Sequence, residues 1–156
     1  MPLGSDRDYA AFLKAQYVAR SAIEAAFVAQ PPFGMSAPPP QSKLLAADIA
    51  DLGMSLPHVE ATAKFRTAEQ SLGACWVVAG SSLGNRTLLS RRTKAGLHGP
   101  TRFLSDRQLA SHFGALLKVL EQPFAEYQVN AAIQGAIATF ALFEAAFCNE
   151  TVKVAA

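Results

Sequence analysis

The chain has 156 residues and a mass of 16.6 kDa, which suits one domain with a core of its own. Hydrophobic residues make up 51% of the sequence and charged residues 17%, so a disordered or acidic solvating segment is excluded. The net charge of +2 is too small for a protein whose main task is to neutralise nucleic-acid phosphates, and no nucleic-acid partner is expected.

The two cysteines, Cys75 and Cys148, cannot form a disulfide framework, which favours a reducing, cytoplasmic compartment. No uninterrupted apolar run reaches about 18 residues, so neither a transmembrane helix nor a membrane partner is expected. The first residues show no basic segment followed by an apolar run, so no secretion signal is expected. Alanine is the commonest residue and β-branched residues are few, which predicts an all-α protein.

A first helix is predicted for residues 5–30, because Ser5 or Asp6 can cap its N-terminus. Residues 31–41 hold five prolines, which end this helix and predict an irregular crossing. A second helix is predicted for residues 42–52, with a glycine as its stop.

A long third helix is predicted to begin at a capping box formed by Thr67 and Gln70 and to reach about Ala95. Gly80 and Gly84 interrupt its pattern and predict a bend. Since they lie four residues apart, on one face, they would let a flat or bulky group approach the backbone. Close packing against another helix is the alternative.

Two further helices complete a predicted multi-helix bundle in a single domain of residues 1–156. Ser105 and Gln108 form a second capping box, which predicts the start of the fourth helix. Pro123 suits the first turn of a last helix that reaches at least Phe147.

Arg20 falls in the apolar stripe of the first helix, between Phe12 and Phe27 and beside Gln16. A guanidinium is always charged, and burying it unpaired is costly. It therefore needs an outlet to water, an ion pair with Glu24 four residues on, or an anion such as the carboxylate of a ligand in a pocket.

Other polar features are less specific. The three histidines, His58, His98 and His112, lack the spacing of a zinc site. No phosphate-binding glycine loop, nucleophile elbow or zinc-protease motif occurs. The last turns of the third helix contain a run of basic residues: Arg86, Arg91, Arg92 and Lys94. These side chains could be solvated, as is favourable at a helix C-terminus, or they could contact an anion or a partner.

Three stretches carry a resemblance to a known family. They are FLKAQ at residues 12–16 with Ile-Glu at 23–24, WVVAGSSLGNR at residues 76–86, and ATFALFE at residues 138–144. Over most of its length the chain resembles the bacterial, biliverdin-producing heme oxygenases, which are all-α oxidoreductases that convert heme to biliverdin, CO and iron. The stretches resemble, in order, the proximal helix, the glycine-rich distal helix and the last helix of that family.

The resemblance implies a heme-oxygenase-like bundle with heme held between the first helix and a glycine-kinked third helix. No residue is predicted as catalytic, and none of the chain's residues is predicted as a metal ligand except His58, considered below. The residues that the resemblance places at the cofactor are Gln16, Arg20, Gly80, Ser81, Gly84 and Asn85.

The sequence departs from the family pattern at three places. Arg20 stands where the family has its iron-ligating histidine, four residues before Glu24, and a guanidinium has no free lone pair. Asn85 replaces a glycine, which adds a side chain near the distal face. Residues 124–148 contain no Lys or Arg to hold the heme propionates.

Three hypotheses follow. The first is a degenerate member, a pseudoenzyme that binds heme without a protein axial ligand, another tetrapyrrole, or a protein partner in tetrapyrrole or phytochrome metabolism. In that case Arg20 pairs with a propionate. The second is a working heme oxygenase with another iron ligand, for which His58 is the candidate. The third is a helical interaction protein in which bulky side chains fill the cleft between the first helix and Gly80 and Gly84.

Overall fold

The structure, a computed structural model, describes residues 3–155, without the side chains of residues 151, 152, 154 and 155. In that part of the chain there are six helices and no strands, which confirms the all-α class. In chain order the helices are α1 (Asp6–Ala29), α2 (Ser42–Asp51), α3 (Ala68–Lys94), α4 (Arg102–Ser105), α5 (Gln108–Leu120) and α6 (Glu126–Ala155).

Local hydrogen bonds and backbone conformation account for the start of α1 and for both ends of α3, as predicted. The Ser5 side chain accepts a hydrogen bond from the backbone N–H of Asp8 and caps α1. The Thr67 side chain accepts from the backbone N–H of Gln70 and caps α3. Gly96 follows α3 with a φ of +68°, the left-handed conformation that commonly ends a helix.

Two predicted helix starts are wrong. Ser105 is the last residue of α4, a short helix that the sequence did not predict, and α5 begins at Gln108 without a Ser105 cap. The Asp106 carboxylate takes that place by accepting from the backbone N–H of Leu109 at 3.2 Å. Pro123 lies outside α6, which begins at Glu126.

The closest approach of two helices lies away from Gly80 and Gly84. α3 continues unbroken through both, and its predicted bend stays a prediction. Instead α3 and α6 cross at Gly73 and Gly135, where a Cβ on either residue would collide with a backbone carbonyl of the other helix. The absence of two side chains therefore sets the distance between α3 and α6.

α1 packs on α2 and α6, while α3 packs on α4, α5 and α6. The end of α3 is tied to this core by Arg92, which is 4% exposed. Its guanidinium lies 3.7 Å from the ring centroid of Tyr9 and donates to the carbonyl oxygens of Leu3 and His98. Arg92 is therefore a structural cation rather than part of a solvated helix end.

α6 differs from α1 in being largely exposed. By length and composition alone, Glu126–Glu150 is apolar enough to cross a membrane, although scattered polar residues break every long apolar run. Within the described residues it is the one helix with this property, which is weak evidence for a membrane span. Only 17% of its most apolar segment is buried, so much of its apolar surface has no partner within the chain.

Candidate functional site

A cavity of about 480 Å³ lies among α1, α3, α5 and α6. Its volume is within the range of roughly 300–1,000 Å³ that is usual for small-molecule sites. Five aromatic side chains dominate its walls: Trp76, Phe113, Phe140, Phe143 and Phe147. We call it the aromatic cavity. Flat apolar walls of this kind suit a planar apolar ligand.

Three of the residues that the resemblance indicated line this cavity together: Gln16, Gly80 and Ser81. A Cβ at Gly80 would meet only the edge of the Phe113 ring, at 3.6 Å, so the missing side chain leaves room at the wall. Gly84 is exposed and has open space around it, and Asn85 is buried, but neither lines the cavity. Both lie at least one helical turn beyond Gly80 on α3.

Arg20 lies directly behind the cavity wall and is 1% exposed. Its Nε donates to Gln16 Oε1 at 2.8 Å and its Nη2 donates to Ser81 Oγ at 2.7 Å, and both partners line the cavity. The guanidinium carbon is 4.9 Å from the ring centroid of Phe103 and 5.7 Å from that of Phe143. Among the described residues, no acceptor reaches Nη1.

No carboxylate of the described residues lies within 4.0 Å of the Arg20 guanidinium. The predicted partner Glu24 is engaged elsewhere. It accepts from the backbone N–H of Gln41 at 2.6 Å and from both the backbone N–H and the hydroxyl of Ser42, at 3.0 and 2.5 Å. Glu24 thus binds the start of α2, and the predicted ion pair with Arg20 is wrong. The predicted outlet to water is also wrong, because Arg20 is 1% exposed.

Burial lowers the pKa of Arg20 from 12.5 to about 10, although the charge of Glu24 acts in the opposite direction. At neutral pH the side chain is still a cation, and it lies in a low-dielectric region without a contacting anion. A buried charge in this state strongly favours a negatively charged group that can reach it.

The residues of the aromatic cavity do not supply an axial ligand for iron. The described residues that line it include no histidine, cysteine, methionine or tyrosine. His58 is exposed and lines a separate groove between α1 and α6, beside Glu60 and Leu142. Within residues 3–155 no group of three or more His, Cys, Asp or Glu side chains could hold a metal ion. The described lining of the aromatic cavity therefore offers flat apolar walls but no side chain that could ligate an iron.

Trp76 and Phe140 have a role that the sequence did not predict. They are 46% and 55% exposed and meet edge to face, with ring centroids 6.5 Å apart. They border both the aromatic cavity and a second cavity of about 470 Å³, which is lined by α3, by the end of α5 at Leu120 and by α6. We call it the α5/α6 groove. Periodicity could not have found it, since it predicts an apolar face but not the absence of a covering element.

Neither a scan against protein-family models nor a search of curated proteins finds a match for this sequence. The function must therefore be argued from the chemistry of the cavity.

Proposed function

We propose that this chain binds heme or another carboxylate-bearing tetrapyrrole in the aromatic cavity and does not degrade heme. The observation that carries the proposal is the buried Arg20 cation, which is bonded to two residues of the cavity wall and has a free N–H group. The family resemblance supports the same class of ligand, because Gln16, Gly80 and Ser81 belong to the stretches that carry it.

The apolar walls account for binding of the ring. A planar macrocycle buries its faces against aromatic side chains, and each Å² of apolar surface removed from water contributes roughly 25 cal/mol. Gly80 admits the edge of such a ring at the wall, because no side chain projects there. A ring placed in this way lies between α3 and the aromatic side chains of α6.

Arg20 accounts for recognition of the carboxylate. A propionate that enters between Gln16 and Ser81 accepts from Nη1 and neutralises the buried charge. Hydrogen bonds between a guanidinium and a carboxylate are roughly twice as strong as neutral ones. Among the described residues that line the cavity there is no cation, and Arg20 donates to two of them, so we assign this interaction to Arg20.

The same residue accounts for the absence of turnover. Heme would bring an iron that can activate oxygen, and the identity of the axial ligand largely controls that reactivity. Arg20 stands at the position of the family's histidine, and a protonated guanidinium cannot donate an electron pair. His58 lies in a different groove, so no observation favours a working heme oxygenase. An interaction protein with a filled cleft is the weaker alternative, because Gly80 lines a cavity of about 480 Å³ although the Phe113 ring lies close to it.

Titration with hemin and with metal-free protoporphyrin IX tests the proposal. We expect both to bind with a red-shifted, sharpened Soret band, and we expect no biliverdin when an electron donor is added. Gly80→Leu should weaken binding at least about tenfold, a loss of about 1.4 kcal/mol, by filling the wall. Gly84→Leu is the matched control on the same helix, because its side chain would enter open space. Equal affinities of the two variants, or steady formation of biliverdin, would contradict the proposal.

A further inference from the structure

Half of the large apolar side chains that stay exposed among the described residues lie around two neighbouring cavities. This α3/α5/α6 face surrounds the aromatic cavity and the α5/α6 groove, and its six defining residues are each 38–56% exposed. They are Trp76, Leu83, Leu120, Ile133, Ile137 and Phe140. Apolar patches of this extent mark a surface that contacts another molecule.

The area of the face matches the requirement of a protein dimer. A large apolar side chain exposes about 150–250 Å² when fully accessible, so six at about half exposure present on the order of 500 Å². A standard interface buries about 800 Å² per partner, and about 65% of a homodimer interface is apolar, which is also on the order of 500 Å².

The charges favour a second copy over a membrane surface. Residues 127–143 of α6 carry no charge, so two copies can face each other without opposing like charges. The exposed charges at the adjoining ends of α5 and α6 are of both signs, with Lys118 beside Glu121 and Glu126. An anionic membrane attracts clustered Lys and Arg, and the mixed charges at this end of the face do not form such a cluster.

The face has a depression and an exposed helix side that lie next to each other. The α5/α6 groove is a depression lined in part by Ile133 and Ile137, and the exposed side of α6 next to it carries Gln134 and Ala138. A twofold axis pairs the same patch on both copies, so this side of α6 in each copy can enter the groove of the other copy.

We infer that the chain forms a homodimer through the α3/α5/α6 face, with α6 of each copy seated in the α5/α6 groove of the other. Because Trp76 and Phe140 border both cavities, the second copy also covers the open side of the aromatic cavity. The dimer does not depend on the proposed ligand, since its surface is present without one.

Sedimentation velocity of the full chain between about 1 and 100 µM tests the dimer. We expect a species of twice 16.6 kDa. Ile137→Glu, at a position that is 55% exposed, should give a monomer, and Ile133→Lys is a second variant on the same face. Val28→Glu on α1, where the side chain is 84% exposed, is the matched control and should remain dimeric. Circular dichroism checks that each variant is folded.

A wild-type monomer at about 100 µM would overturn the inference, and so would a dimer that persists in both folded α6 variants. A monomer that sediments with anionic vesicles would assign the face to a membrane instead. Failure of tetrapyrrole binding would leave this test unaffected, because it measures only the mass of the protein.

Discussion

Replacing Arg20 by methionine should stabilise the protein while removing its preference for a ligand that carries a free carboxylate. A pKa lowered from 12.5 to about 10 corresponds to about 3 kcal/mol that disfavours the charged side chain in the folded state. Part of this cost is offset by the two aromatic contacts of the guanidinium, at about 1 kcal/mol each. Methionine removes the buried charge and keeps a flexible apolar side chain between Phe103 and Phe143.

The partners of Arg20 tolerate its loss. Ser81 Oγ also donates to the carbonyl oxygen of Val78 at 2.6 Å, so the hydroxyl keeps a hydrogen bond. Gln16 borders the cavity, where its amide oxygen can bind water. We therefore expect Arg20→Met to raise the free energy of unfolding by about 1–2 kcal/mol, and Tm by roughly 2–8 °C.

Thermal and urea unfolding of the ligand-free protein measure this effect. Arg92→Met is the matched control, because Arg92 is also buried but donates to two carbonyl oxygens that would lose their partner. That variant should lose about 2 kcal/mol. If Arg20→Met lowers stability as much as Arg92→Met does, Arg20 is a structural residue and its assignment to ligand binding is refuted.

Two further predictions concern the helix crossing and a buried histidine. Gly73→Ala and Gly135→Ala should each cost about 1–3 kcal/mol in urea unfolding, because a Cβ collides with backbone across the crossing. Gly84→Ala, at an open helical position, should be neutral or stabilising by up to about 1 kcal/mol, and an equal loss there would contradict the explanation. Burial lowers the pKa of His112 below 6.5, so the unfolded state binds more protons and stability should rise as pH increases through the ordinary histidine range. His112→Gln should reduce this rise between about pH 5.5 and pH 7.5, and an unchanged slope would show that His112 does not contribute to it.

The sequence predicted those parts of the fold that local interactions decide. The caps at Ser5 and Thr67 each involve a backbone N–H three residues away, so they are readable from neighbouring residues. Ser105 failed as a cap because Asp106, its neighbour, competes for the same role. Local chemistry allowed both, and in the structure Ser105 is the last residue of α4 while Asp106 accepts the hydrogen bond.

The sequence identified Arg20 as unusual but could not reveal its surroundings. Its hydrogen bond to Ser81 and its contact with Phe103 join residues more than 60 positions apart. The crossing of Gly73 with Gly135 also joins residues far apart in the chain. The spacing of Gly80 and Gly84 predicted a close approach at those two residues instead. Only the packed structure distinguishes a glycine that admits another helix from one that borders a cavity.

The contact between Arg20 and a ligand carboxylate is tested most directly by comparing protoporphyrin IX with its dimethyl ester, which has the same ring but no anionic group. The wild type should bind the free acid at least about tenfold more tightly than the ester, and Arg20→Met should bind the two almost equally. Equal preference for the acid in the wild type and in Arg20→Met would contradict the account, because the carboxylate would then be recognised without the buried cation.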